Sequence, residues 1–219
     1  MPAPPPRPDR ILVCFALPEE AAPFRRQTRA RRDVEVLLTG IGQANARSAI
    51  HPAIAPPPRF VFSCGFTGAL RPGLTIGTVL FNADPGFPFT PALESAGAIP
   101  AQFLCADRIF STAREKGAAW QSARADAVEM ESGVVREVCR GHHIPSATVR
   151  VISDTADEDL PLDFNRLMTR SRRMNYLKLA GALFRSPGRI RSLLKLQRQC
   201  RAAAESLARV LLLVLPARE

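Results

Sequence analysis

The sequence predicts an α/β domain with helices on both faces of a buried sheet. Three observations predict it. The continuous apolar run at residues 11–16 and the mostly apolar stretches at 60–64 and 147–152 have strand length and lack the alternation of a half-exposed sheet. Stretches of helical spacing separate such runs. Turns at Gly40-Ile41-Gly42 and Gly65-Phe66-Thr67-Gly68 stand where strands should end.

The elements follow in chain order. Residues 11–16 form a first buried strand, and Pro18-Glu19-Glu20 turns the chain into a short helix through Ala21, Ala22 and Phe24. Residues 34–39 and 60–64 read as the second and third strands, and 75–82 as a fourth. Repeated Pro and Gly over 83–100 predict a loop. Residues 103–106 and 125–128 are short strand candidates, and 116–123 belongs to a helix. Val134, Val135 and Val138 give helical spacing over 131–140, and 147–152 is another buried strand. The expected organisation is a Pro-rich tail at 1–10, an α/β domain at 11–164, and a basic helical segment at 165–219 packed on that domain. Leu193, Leu194, Leu196, Cys200, Ala204, Leu207, Leu211 and Val214 keep approximate helical spacing there. A preceding helix is expected before a break near Ser186-Pro187-Gly188.

Composition excludes several classes. The 219 residues suffice for one substantial core. Five scattered cysteines without CxxC spacing predict neither a zinc site nor a disulfide framework, and they fit a reducing cytoplasm. Three histidines leave little for a metal site, and no metal or cofactor is expected. The first ten residues have no apolar core of a secretory signal, and no run reaches the length of a membrane span. The net charge of +10 is local: eleven basic residues and no acid lie between Asn165 and Arg201. The remainder, nineteen bases against twenty acids, is close to neutral. With 6% aromatics and no recognised module, nucleic acid is not an expected partner.

In open α/β sheets ligands collect at the C-terminal ends of strands. Glu20, residues 40–42 and 65–68, Glu129-Met130-Glu131 and Ser153-Asp154 all fall at or just past such ends, which predicts one shared site. The acids suit cleavage of an N-glycosidic bond. That reaction builds positive charge on the ribose and negative charge on the departing base. It needs a group on the sugar hydroxyls, an acid for the base, and an activated water or a phosphate.

The same residues carry a resemblance. The runs Ala16-Leu17-Pro18-Glu19-Glu20, Thr39-Gly40-Ile41-Gly42, Gly65-Phe66-Thr67-Gly68-Ala69-Leu70, Ala127-Val128-Glu129-Met130-Glu131-Ser132 and Arg150-Val151-Ile152-Ser153-Asp154 occur in one order over most of 11–164. In that order they resemble the nucleoside phosphorylase superfamily, especially its methylthioadenosine/S-adenosylhomocysteine nucleosidases. The resemblance implies a three-layer α/β/α sandwich with a mixed central sheet, followed here by basic amphipathic helices. It implies that Glu20 activates water, that Asp154, supported by Ser153, protonates the purine, and that Glu131 binds the ribose hydroxyls with Met130 against the sugar. Glu129 falls at the family position beside ribose and base. The Asp107-Arg108-Ile109-Phe110 run resembles the loop that holds the purine through its backbone and apolar side chains. Gly65 and Arg150 complete the expected substrate contacts. The implied partner is a small nucleoside, with a homodimer as the implied assembly.

Water or phosphate is decided by charge. Family phosphorylases carry Arg-x-Gly-Thr or Arg-x-Gly-Ser at the third strand's end, where this chain has Ser63-Cys64-Gly65-Phe66. The guanidinium fork is missing, and Glu19 and Glu20 repel an anion. Both favour hydrolysis, with phosphorolysis as the alternative if Arg25 and Arg150 compensate. The stretch between Leu70 and Asp107 is much shorter than in well-known members, where it builds dimer contact and pocket wall. That departure leaves open the 5′-group and a non-catalytic nucleoside-binding role.

Plainer readings stand beside these. Glu129 and Glu131 suit the first turn of any helix, Met130 suits a core, and His142 and His143 suit a helix end. The basic segment reads either as a solvated helix packing its Leu stripe on the domain or as a peripheral contact with anionic lipid at the inner membrane face. One superfamily member removes adenine from adenosylhopane, a lipid-linked nucleoside, and the short middle and basic tail bear some similarity to it.

Overall fold

The structure is a computed structural model and describes residues 9–169 and 188–215. Its strands are β1 (Ile11–Phe15), β2 (Val34–Leu38), β3 (Phe60–Ala69), β4 (Val79–Ala83), β5 (Ile99–Pro100), β6 (Phe103–Cys105), β7 (Ala127–Glu129) and β8 (Ser146–Asp154). Its helices are α1 (Pro18–Thr28), α2 (Gln43–Ala53), α3 (Thr90–Ser95), α4 (Ala113–Ala123), α5 (Ser132–Gly141), α6 (Phe164–Leu167) and α7 (Arg189–Val214).

One mixed sheet runs in the order β2-β1-β3-β8-β4-β5. The first four of these strands are parallel, and β4 runs antiparallel to β8. β7 pairs antiparallel with the far end of β3 and carries β6 beside it. The long third strand therefore serves two neighbourhoods, the parallel core and the β7 ribbon that delivers Glu129.

The side-chain period of two divides β1 between two cores. Ile11, Val13 and Phe15 join Phe24, Phe62, Val149, Leu207 and Leu211 on the face covered by α1, α3 and α7. Leu12 and Cys14 join Ile50, Val61, Val134, Val135 and Val138 on the face covered by α2 and α5. Layers on both faces give the expected three-layer α/β/α arrangement, and all nine residues of β8 are buried at its centre.

The differences from the sequence reading have local causes. Residues 75–78 form a turn in which the Thr78 N–H donates to Thr75, so β4 begins later than expected. The 83–100 stretch holds α3 and β5. α2 gave no clear period because only Ala46 and Ile50 are buried and Pro52 lies inside it. The helix expected before Ser186, and the tail before Asp9, lie outside the described residues. α7 is two-sided along its length. Ala203, Ala204, Leu207, Leu211 and Val214 are buried, whereas Arg189, Ile190, Arg191 and Leu194 are exposed. No helix among the described residues is long and apolar enough to cross a membrane.

Candidate active site

A cavity of about 360 Å³ opens at the strand ends, within the range of small-ligand sites. Glu20, Glu131 and Asp154 reach it from the ends of β1, β7 and β8. Ile41, Phe66, Met130, Ile109 and Phe110 line it between them.

Glu20 is fixed by the start of α1. Its Oε2 accepts the Leu17 N–H at 2.9 Å, so the side chain closes the helix's first turn. Its Oε1 accepts the Phe66 N–H from β3, also at 2.9 Å. Burial lifts its pKa to about 7 against the opposing pull of the Phe66 N–H and the Arg150 charge. A carboxyl poised there suits a general base at neutral pH.

Gly65 makes this placement possible. A Cβ there would stand 2.6 Å from Arg150 Nη1 and 2.9 Å from Glu20 Oε1, and the backbone sits at φ +149°. A side chain would push both charged groups apart.

Arg150 was expected to touch substrate, and the structure puts it elsewhere. It is 1% exposed in the middle of β8 and does not line the cavity. Its Nη2 meets Glu129 Oε2 at 2.5 Å and Glu131 Oε2 at 3.4 Å, and donates to Ser63 Oγ at 3.4 Å. One buried cation thus holds two carboxylates, and the acids around it raise its own pKa although burial pulls the other way. Ser63 faces this guanidinium beneath the cavity floor.

The two glutamates of the β7–α5 turn have different fates. Glu129 is spent within the protein. Its Oε2 accepts N–H bonds from Glu131 at 3.0 Å and Ser132 at 2.7 Å, and its Oε1 accepts the Ser132 hydroxyl at 2.8 Å. Burial opposes its charge, but Arg150 and these donors outweigh it and hold the pKa below the ordinary value. The plain reading of a helix-start acid therefore describes Glu129. Glu131 reaches outward, with Oε1 accepting the Gly42 N–H at 2.7 Å. Burial and the neighbouring Glu129 raise its pKa against the pull of Arg150.

Asp154 is aimed by an irregularity. The β3–β8 register shifts between Thr67 and Gly68, so Asp154 lies opposite Gly68. Such a slip redirects a side chain at a strand end. Ser153 Oγ donates to Asp154 Oδ1 at 2.8 Å. Asp154 Oδ2 forms an ion pair of 2.6 Å with Lys116, a fully buried residue of α4 that sequence reading passed over as part of a helix.

The 107–110 loop is clamped from the C-terminal side. Asn165 Oδ1 accepts the Ile109 N–H and its Nδ2 donates to the Ile109 carbonyl, both at 2.9 Å. Ile109 therefore presents its side chain to the cavity with its peptide groups already engaged. Leu160, Phe164, Met168, Leu196 and Cys200 add an apolar wall that the sequence did not announce. Among the described residues, no cluster of His, Cys, Asp and Glu is arranged to hold a metal ion.

Comparison with known proteins bears on the fold. The Phosphorylase superfamily model matches residues 100–185. The 5′-methylthioadenosine/S-adenosylhomocysteine nucleosidases of Mycobacterium bovis and Mycobacterium tuberculosis are each 31% identical over 90 residues, 38% of this chain. The matched stretch spans 35% of either relative's length. Among solved structures, futalosine hydrolase of Helicobacter pylori superposes with a TM-score of 0.69 at 16% identity, covering 94% of this chain and 97% of its own. The 5′-methylthioadenosine/S-adenosylhomocysteine nucleosidase of Helicobacter pylori, solved with butyl-thio-DADMe-Immucillin-A, gives 0.70 at 16% identity over 95% and 98%. Its Neisseria meningitidis counterpart, with methylthio-immucillin-A, gives 0.69 at 17% over 94% and 98%. The chain has the fold of these nucleosidases, and its sequence is similar to the Phosphorylase superfamily through residues 100–185.

Proposed function

We propose that this protein is a purine nucleosidase that hydrolyses the N-glycosidic bond of a 5′-modified adenosine and releases adenine. The observation that carries the reading is the convergence of Glu20, Glu131 and Asp154 on one cavity from three strand ends. Glu131 accepts the ribose hydroxyls, with Met130 against the sugar. Glu20 takes a proton from water as the water oxygen bonds to C1′. Asp154, with Ser153 beside it, supplies the proton that the departing purine needs. Phe110 and the Ile109 side chain cover the base. Arg150 and Glu129 hold the floor on which Glu131 stands.

Water is favoured over phosphate as the second substrate. Glu19, Glu20, Glu129, Glu131 and Asp154 border the cavity, and Arg108, paired with Glu115 at 2.6 Å, is the one basic residue among the described lining. An entering phosphate would meet net negative charge without a free guanidinium fork. The similar nucleosidases and the apolar wall support a 5′-modified adenosine as the substrate. Purified protein should release adenine from methylthioadenosine, adenosylhomocysteine or 5′-deoxyadenosine at equal rates with and without phosphate. Release only with phosphate would make it a phosphorylase, and binding without turnover of any of them would make it a nucleoside-binding protein.

A second reading concerns the site's surroundings. Leu196 and Cys200 of α7 face the cavity, while Ile190 and Leu194 of the same helix are 45% and 48% exposed beside Arg189 and Arg191. That arrangement suits contact with anionic lipid and a lipid-linked 5′-group of the adenosylhopane kind. Sedimentation with phosphatidylserine vesicles tests it. Retention that vanishes in Arg189→Glu/Arg191→Glu supports the contact, and equal recovery with and without vesicles removes it.

A further inference from the structure

We propose that Lys116 is a positioning residue for Asp154, holding its carboxyl toward the leaving base and stabilising the carboxylate left when its proton departs. The inference rests on the nucleosidase reading above. Lys116 is carried by α4, is fully buried, and has three donors. Each finds an acceptor: Asp154 Oδ2 at 2.6 Å, the Thr155 carbonyl at 2.7 Å and the Glu158 carbonyl at 2.9 Å. Two of these belong to the main chain just past β8, so the ammonium also fixes the segment on which Asp154 ends.

The charge itself needs a reason. Two backbone carbonyls require only N–H donors, which a neutral amide supplies without the desolvation cost of a buried cation. Asp154 is the partner that uses the charge. Its Oδ1 is held by Ser153 at 2.8 Å, and a Cβ on Gly68 would stand 3.0 Å from Oδ2, so the carboxyl is confined on three sides. The step starts from the substrate complex after Asp154 has taken a proton from solvent, with Lys116 donating to its Oδ2. When the C1′–N9 bond breaks, its electron pair stays on the base and that proton moves to a ring nitrogen. The carboxylate that remains lies between Lys116 and Ser153, and Lys116 keeps its protons throughout. Negative charge is thus delivered from the substrate toward a fixed buried cation, where it is stabilised without reorganisation.

The test compares wild type, Lys116→Met and Lys116→Gln on two substrates. One is whichever purine nucleoside of the panel above the wild type turns over fastest. The other is 4-nitrophenyl β-riboside, whose leaving group departs without a proton. Lys116→Gln keeps N–H donors for the two carbonyls and loses the charge, so it serves if Lys116→Met fails to fold. The expected result is a fall in kcat of about 100-fold or more on the purine nucleoside with KM changed far less, and nitrophenyl turnover within about threefold of wild type. In an Asp154→Asn background either change should cost no further activity, because Lys116 acts through that carboxyl. Equal losses on both substrates, or losses that add to those of Asp154→Asn, make Lys116 a structural staple and overturn the proposal. A folded wild type that cleaves neither substrate overturns the nucleosidase reading and this inference with it.

Discussion

On the nucleosidase reading, replacing Glu20 by Gln should slow turnover by orders of magnitude and remove a pH-dependent weakness of the fold. Burial raises the Glu20 pKa from 4.5 to about 7, with the Phe66 N–H and Arg150 opposing and Glu131 adding to the rise. Below pH 4.5 the carboxyl is neutral in folded and unfolded chains alike, and its contribution to stability is fully present. Between 4.5 and about 7 the unfolded chain ionises while the folded chain still holds its proton, so stability is lost as pH rises. Above the folded value the loss is complete. The shift corresponds to about 3 kcal/mol, at 1.36 kcal/mol per pH unit.

Gln is neutral at every pH and escapes this loss. It is also a poorer acceptor, since its amide nitrogen must face either the Leu17 or the Phe66 N–H, at a cost of about 1–3 kcal/mol. The variant should therefore be no more stable than wild type near pH 5, gain on it through about pH 7 and hold that gain to pH 9. Chemical denaturation at both pH values measures the two differences, and they should differ by about 2.5 kcal/mol, since part of the loss has already occurred at pH 5. For a chain of this size that is roughly 5–10 °C in Tm. Turnover should fall by about 10²–10⁴-fold, and wild-type kcat/KM should rise with pH through about 7 as the base deprotonates. A stability difference that stays constant from pH 5 to 9 would refute the argument that Glu20 is held in an unfavourable charged state.

Other substitutions test the remaining supports. Arg150→Leu leaves Glu129 and Glu131 buried without their cation. Chemical denaturation should show about 3–5 kcal/mol of lost stability. Gly65→Ala places a methyl 2.6 Å from Arg150 Nη1 at a strained φ. Thermal melting should record at least the 1–3 kcal/mol typical of such backbone strain, with turnover lost as Glu20 and Arg150 separate. Leu211→Ala empties a fully buried position where α7 meets the sheet. A loss of about 2–5 kcal/mol is expected, and a near-neutral result would mean that α7 only lies on the surface.

The parts of the site legible in sequence share a property: each acid follows an apolar run that is itself unmistakable. Glu20 comes just after β1, Glu131 after β7 and Asp154 at the end of β8, so strand recognition was enough to gather them. Arg150 was misplaced for the converse reason. A strand buried on both faces has no polar side to orient by, and an Arg inside it reads as site-directed when it serves two acids beneath the floor. Lys116 left no signal, because its helix is otherwise half exposed and polar and its partner comes from a distant strand. The apolar wall was equally silent. Phe164, Met168, Leu196 and Cys200 come from separate stretches beyond β8, and only their packing shows that they meet.

The C-terminal basic segment shows why charge and apolar pattern cannot be read as competing alternatives. A packed helix and an exposed basic helix seemed to exclude each other, yet α7 is buried in its second half and exposed in its first. Its second half is core: Leu207 and Leu211 are fully buried with Phe15, Phe62 and Val149. Its first half carries the exposed basic residues and is tied down by Lys195, which pairs with Glu158 at 2.7 Å. Glu158 in turn gives its carbonyl to Lys116, the cation beside Asp154. Removing the whole segment would destroy the core and leave the lipid question unanswered. Charge reversal at Arg189 and Arg191 alters the outer surface and spares both the core and the Glu158 contact. That is the substitution able to separate a surface role of the helix from its role in the fold.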